Sequence, residues 1–492
     1  MGIVKRQGIK NTIIIYFGIL IGFISLLIIQ PVYLSKAEMG LTRLLLAFAS
    51  LFSSVFAFSI SNITVKFFPY FKDYNNKHNG FFGLTVIIPA IGSAIGCLLL
   101  LLFKDAIIQY YSSESKVFVF YFYHTFLFSF ILSLILALNS YSNALLKTTV
   151  PSFLNDVLTR VIFVLLVLIY AAGYINYQQF IWAFILSYGL QAMLLLGYII
   201  YYGNPSFKIN KAVIKQIGSL NLIKYGAVLT ITTITSIGLK FLDIIMIGHL
   251  SKVDSLSDVG VYSIAAFIAT IIETPLNSLE RIANPKIAHG LAENNHKEVK
   301  DIYYQSSKYL TIVGGLLTIL VILNISDLLL MLPNDYSSGI KVTMIISISA
   351  FVNMATGINY PILFNSHKYY YGAIFIAIML ITSIVLNTLL IPIYGIMGAA
   401  IATTVAAVVF NALKYIFILK EFKMQPFQLP FFKTLLVIAI CLTLGFFIPK
   451  TENHLVNILV NGSIVTTSFL ILTYLFNIVP EFHKHIPFIK KK

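Results

Sequence analysis

Lys240 and Asp243 stand one helical turn apart inside Leu222–Leu250, a stretch that is otherwise mostly apolar. About 20 apolar residues suffice to cross a bilayer, so this stretch reads as a membrane helix with two charges well inside it. A charge at that depth costs roughly 2.5–3.5 kcal/mol on insertion scales and faces a partner or a watery cavity. Residues at i and i+3 share a helix face. The ordinary role of such a pair is to neutralise itself and fix the helix in its bundle. The functional role is Lys240 as a phosphate contact, with Asp243 setting its charge or binding a coupling cation.

Glu273 lies midway along the next apolar run, beside Pro275. Proline removes a backbone hydrogen bond and can bend a helix. A carboxylate at such a place carries a proton or Na⁺, or pairs with Lys240. Arg43 is near the outer end of the second run, and Arg160, Arg281 and Lys66 are near inner ends. Snorkelling to the interface is their ordinary explanation; as cavity residues, the arginines would grip pyrophosphate bidentately. Glu280 and its neighbour Arg281 point to different faces. Asn62, Asn139, Asn143, Gln191, Asn277, Asn353, Asn359, Asn387 and Asn411 recur within apolar runs, where hydrogen bonds between helices are the common use. His124 and His249 are isolated. Cys97 and Cys441 show no metal or redox spacing, so neither a metal, a cofactor nor a disulfide is expected.

These residues need a scaffold. The chain has 492 residues, of which 58% are hydrophobic and 11% charged. That composition indicates an all-α polytopic membrane protein. An outer-membrane barrel would alternate every other residue instead. Fourteen apolar runs can be marked, from Thr12–Leu34 to Leu455–Ile478. With the N-terminus on the cytoplasmic side, 22 of the 34 Lys and Arg fall in cytoplasmic segments, Lys414 among them, and 6 in opposite loops. The positive-inside rule thus supports fourteen helices and two cytoplasmic termini. The net charge of +16 reads first as membrane orientation, not as nucleic-acid binding. Loops are short, and AHGLAENNHKEVKDIYYQSSK suits a short amphipathic surface helix. No phosphate-binding loop of the GxxxxGK[ST] kind occurs, so transport would draw on an ion gradient, the membrane potential or the substrate gradient.

A shift of about 220 positions aligns parts of the chain with itself. Gly22 lands on Gly238, Pro69 on Pro285 and Gly40 on Gly260. Two six-helix lobes follow, residues 1–203 and 204–424, with two added helices and a basic tail over 425–492. Repeats with a site between them are a common transporter plan.

Three stretches carry a family likeness: GIKNTIIIYFGILIGFISLLIIQPVYLSKAEMGLTRLLLA near the start, FLDIIMIGHL…VGVYSIAAFIATIIETPLNSLERIANPKIA from Phe241, and LNTLLIPIYGIMGAAIATTVAAVVFN from Leu386. With them the chain resembles the polysaccharide-unit (Wzx-type) flippases of the multidrug/oligosaccharidyl-lipid/polysaccharide exporter superfamily. The resemblance implies a V-shaped pair of lobes working by alternating access. It implies a polyprenyl-pyrophosphate-linked oligosaccharide as substrate and the bacterial inner membrane as location. It further implies O-antigen, capsule or exopolysaccharide assembly enzymes as partners. Peptidoglycan-precursor flippases of the same superfamily typically carry arginines in helix 1, and Thr12–Leu34 holds no charge. A cation-coupled multidrug antiporter of the same fold is the alternative, with H⁺ or Na⁺ as the coupling ion and Asp243 and Glu273 as its acids. A membrane polysaccharide polymerase or ligase would need a larger outer loop bearing catalytic residues; the chain is not expected to be an enzyme.

Overall fold

In hydrocarbon, a backbone finds hydrogen-bond partners only within its own helix or in a closed barrel. The computed structural model follows the first course. It describes residues 2–73, 75–112, 116–203, 205–252 and 254–479, and these contain helices and no strand. The basic tail expected at Lys484 and Lys490 to Lys492 lies outside the described residues.

Thirteen helices among the described residues are long and apolar enough to span a membrane, and a bent pair makes a fourteenth. We label them α1 (Ile13–Tyr33), α2 (Lys36–Phe71), α3 (Lys77–Leu102), α4 (His124–Ala144), α5 (Thr149–Ala171), α6 (Tyr177–Tyr202), α7 (Ser219–Leu250), α8 (Ser255–Ala292) and α9 (His296–Leu330). After these come α10 (Gly339–Ala355 with Asn359–Asn365), α11 (Tyr370–Tyr394), α12 (Ile396–Phe422), α13 (Leu429–Phe447) and α14 (His454–Leu475).

Three kinds of break in these helices are specific. In α2, Phe58 and Ser59 take left-handed backbone, with φ of 44° and 51°. In α10 the two pieces meet at 56°, with Gly357 at φ +68° between them. In α1 and α5, π-helical turns run over Ser25–Ile29 and Leu154–Leu158; such turns shift the register of every later side chain and are frequent at functional sites.

The surface helix expected between α8 and α9 is not a separate element. α8 continues to Ala292 and α9 begins at His296. Asn294 supplies the turn at φ 57°, and the Asn295 side chain caps α9 by accepting from the Glu298 amide. The amphipathic pattern is that of two long helices running on past the apolar layer.

The chain packs as two units, residues 1–260 and 261–492. In the first, α2 packs against α3, α4 and α7, while α5 packs against α1 and α6. Its core is aromatic, built on Phe67, Phe68, Phe71, Phe81, Phe82 and Tyr141. α7 joins this unit because Gly226 and Gly248 on it admit Phe58 and Leu44 of α2. In the second unit, α12 packs against α10 and α11, and α13 and α14 lie together on α9. There Cys441, Val465 and Phe469 meet Ile319 and Leu323. Lobes bounded at 203 and 424 describe a repeat in sequence and stand as a proposal; the packing divides the chain at Gly260.

Candidate functional site

The first unit gathers three cations. The start of α2 is fixed by a capping box, in which the Ser35 hydroxyl accepts from the Glu38 amide while the Ser35 amide donates to Glu38 Oε2 at 2.8 Å. Tyr170 at the end of α5 donates to Glu38 Oε1 at 2.6 Å, and Tyr177 at the start of α6 donates to the Glu38 carbonyl at 2.9 Å. With three helix ends tied, Arg43 sits two turns down α2, facing α1. Its Nη2 donates to Gln30 Oε1 at 3.1 Å. Gln30 is 1% exposed and is oriented in turn by the Ser25 hydroxyl at 2.9 Å, inside the π turn of α1.

Arg160 projects from α5 directly after the second π turn. Its Nη1 donates to the Gly18 carbonyl of α1. Arg43 and Arg160 lie within electrostatic range of one another and of the Tyr188 hydroxyl on α6. Lys240 on α7 lies within range of Arg160, its ammonium 5.3 Å from the Phe241 ring centroid. Asp156 acts on Arg160, and Asp243 follows Lys240 by one turn. Arg160 thus lies within range of two further cations and of the Asp156 carboxylate. Arg43 Nε is buried with no hydrogen-bond partner, which costs free energy unless an anion arrives to accept from it.

Snorkelling does not describe Arg43 or Arg160, whose guanidinium groups turn into the bundle. Arg281 is exposed on α8 and is not brought into either polar group described here. Neutral polar groups continue from Asp156. Asn155 Oδ1 accepts from Asn139 of α4 at 3.3 Å and from Gln191 of α6, so these amides do bridge helices.

The second unit holds a different cluster. Glu273 on α8 accepts from Asn353 Nδ2 of α10 at 3.1 Å. Lys414 on α12 is 2% exposed and lies within electrostatic range of Glu273 and Glu280, with its ammonium 4.3 Å from the Phe410 ring. One turn before it, Asn411 accepts from the Thr356 hydroxyl at the α10 bend, at 3.0 Å. Lys414 is thus not the cytoplasmic loop charge expected from sequence: it belongs to the span. The signal is present, because Lys414 falls inside the apolar run that continues to Ile418. Glu280, no partner of Arg281, shares Lys414 with Glu273 instead.

Among the described residues no group of His, Cys, Asp and Glu could hold a metal ion, and Cys97 and Cys441 are free thiols.

No protein-family model matches the sequence, and no curated protein does. Solved structures do match. The inward closed conformation of the lipid II flippase MurJ superposes with a TM-score of 0.76 at 15% identity, covering 95% of this chain and 98% of that one. An inward-facing multidrug resistance MATE family transporter of the MOP superfamily gives 0.66 at 10% identity, covering 85% and 98%. The Vibrio cholerae MATE transporter VcmN, in a mutant form, gives 0.54 at 13% identity, covering 86% and 98%. At these identities the likeness is one of fold alone: this chain shares the helical architecture of those three structures.

Proposed function

We propose that the protein is a flippase for polyprenyl-pyrophosphate-linked oligosaccharides. It would act by alternating access in a bacterial inner membrane, with both termini cytoplasmic, and would supply surface polysaccharide assembly. The observation that carries this reading is the convergence of Arg43, Arg160 and Lys240 in the first unit, with Arg43 Nε unpaired. Sugars and a pyrophosphate cannot enter about 30 Å of hydrocarbon without polar partners. Guanidinium groups bind phosphate oxygens bidentately, and a lysine adds a point charge. A net positive group selects an anionic headgroup over an amphipathic cation. Tyr188 and the Asn139, Asn155 and Gln191 amides offer hydroxyl-binding groups beside it. Likeness in fold to a lipid flippase supports the same substrate class.

Glu273 and Glu280 against the single Lys414 favour a cation-coupled step in the second unit. That excess of carboxylates is also what a multidrug antiporter would need, which keeps that second reading in play. Deletion of the gene tests the choice. A flippase predicts loss of a surface polysaccharide and accumulation of lipid-linked units on the cytoplasmic leaflet. Intact surface polysaccharide together with lost dye efflux would establish the antiporter instead.

A further inference from the structure

Between the inner half of α2, the short helix Lys211–Ile217 and the start of α7 lies a cleft of about 560 Å³, lined by Lys66, Tyr70, Gln216, Asn221, Lys224 and Tyr225 among others. The Lys66 ammonium lies 3.9 Å from the centroid of the Tyr225 ring. The walls are fastened to each other. Asn210 donates through its amide and its side chain to the Asn79 carbonyl and Asn79 Oδ1, both at 3.0 Å. The Gly83 amide donates to the Ser206 carbonyl at 3.3 Å, and Phe207 meets Phe82 edge-on at 5.1 Å. Gly80, at φ +73°, lets the first turn of α3 lie so close to this linker that a Cβ there would collide with the Lys208 carbonyl. The cleft is a built feature, not a gap beside a loose loop.

Its surroundings are cationic. Residues 60–80 and 205–230 contain seven lysines and one carboxylate, Asp73. Asp73 is committed to its own turn, accepting from the Asn76 side chain at 2.6 Å and the Asn75 amide at 2.9 Å. These bonds, the Asn76 side chain's above all, hold its carboxyl below the usual range. It stays ionised, with its hydrogen bonds taken from Asn75 and Asn76. Lys224 is 16 residues from Lys240, about 24 Å along one helix, so the cleft is separate from the deep cation group.

The shape of the neighbourhood says what kind of anion fits. Lys224, Val228 and Ile231 fall at i, i+4 and i+7, on one face of α7. Val228 is 64% and Ile231 68% exposed. A charged head at Lys224 would thus have an uncovered apolar track running from it toward the middle of the span. Tyr70 and Tyr225 are the amphipathic rings that favour the headgroup level of a bilayer. Basic pockets between membrane helices suit phosphate-bearing lipid heads.

We infer that this cleft binds the phosphate of an anionic membrane lipid, Lys66 and Lys224 taking the headgroup while an acyl chain runs along Val228 and Ile231. The site belongs to the lipid solvent and not to the transported cargo, so it does not rest on the flippase reading. A lysine near the membrane surface contributes about fivefold to such binding.

Native mass spectrometry of the full-length protein in detergent, titrated with phosphatidylglycerol or phosphatidylcholine, tests this. Phosphatidylglycerol should be retained and phosphatidylcholine should not. K66Q and K224Q should each weaken retention roughly fivefold, and K252Q, at an exposed lysine outside the cleft, should not. K66R/K224R should restore it, which separates lost charge from lost folding. V228S/I231S should weaken phosphatidylglycerol retention without changing the effect of millimolar inorganic phosphate. Equal retention of both lipids, or no change in the glutamine variants, overturns the site. Complete displacement of phosphatidylglycerol by inorganic phosphate, with V228S/I231S silent, assigns a free phosphate and overturns the lipid.

Discussion

Gly40 and Gly260 meet backbone to backbone where α2 and α8 begin. A Cβ on Gly40 would overlap the Leu256 carbonyl oxygen and stand 3.1 Å from the Gly260 nitrogen. A Cβ on Gly260 would overlap the Lys36 carbonyl oxygen and stand 3.4 Å from the Gly40 nitrogen. These are the two glycines that the 220-residue shift equates, and each is the other's clearance. Neither obstacle is a flexible side chain, so a methyl group forces helices apart. Gly40→Ala, with the tighter approach, should cost about 1–3 kcal/mol or more through overpacking, and Gly260→Ala less. Thermal unfolding of the detergent-solubilised protein, followed by size-exclusion fluorescence, reads the difference. Unchanged midpoints for both would mean that the crossing is looser than described.

Arg160 and Arg43 test the substrate reading. Loss of a charge-assisted hydrogen bond to substrate is worth about 1.5–3 kcal/mol, so Arg43→Gln and Arg160→Gln should each reduce transport of a lipid-linked pyrophosphate by about tenfold or more. Arg43→Lys should fail to restore it, because one ammonium does not reproduce the fork geometry. Lys240→Arg should be tolerated. Flipping of a fluorescent lipid-linked oligosaccharide in proteoliposomes gives the rate, and unchanged rates in both glutamine variants would remove these arginines from the site.

Lys414 tests the second cluster. Removing one member of a buried charge group leaves the others uncompensated, at a cost of about 3–5 kcal/mol. Lys414→Met should therefore lower stability markedly, and E280Q/K414M should recover part of it. Glu273→Gln keeps the hydrogen-bond length to Asn353 but cannot exchange a proton or hold a metal cation by charge. Transport by that variant should lose its dependence on an imposed H⁺ or Na⁺ gradient, measured in the same vesicles.

Asp327 fastens the last two helices. Its side chain, 4% exposed, accepts from Lys450 at 2.6 Å and from Asn457 at 2.9 Å, and lies 2.8 Å from His454 Nδ1. Asp327→Ala should cost about 1–3 kcal/mol and make the 448–453 connection easier to cut in limited proteolysis. Lys450→Ala should cost less, since that lysine is half open to solvent and exposed pairs contribute little. Equal protease resistance in both variants and the parent would show that hydrophobic packing of α13 and α14 on α9 holds the hairpin alone.

The span count is legible in the sequence because it depends on a local quantity. A segment in hydrocarbon must satisfy its own backbone, so the length of an apolar run identifies a helix without reference to any other part of the chain. The exceptions within those runs, Lys240, Asp243 and Glu273, are legible for the same reason: a charge stands out against an apolar background. Lys414 stands out no less, but its place near the run's end makes it pass for a loop charge. α1 looks empty of chemistry because no charge is written in it, yet the Gly18 carbonyl takes a guanidinium from α5.

Which charges meet is a property of distance in space, and sequence spacing does not contain it. Arg43, Arg160 and Lys240 come from three helices far apart in the chain and share one electrostatic neighbourhood only because α5 docks on α1 and α7 docks on α2. Glu273 finds Asn353, 80 residues on, and Lys414 by the same kind of docking. Composition and periodicity determined that this chain is a set of membrane helices carrying a few costly charges. The tertiary structure decided how those charges are grouped, because helix faces pair according to shape and small residues, and a side chain's partners are fixed only once the faces have closed.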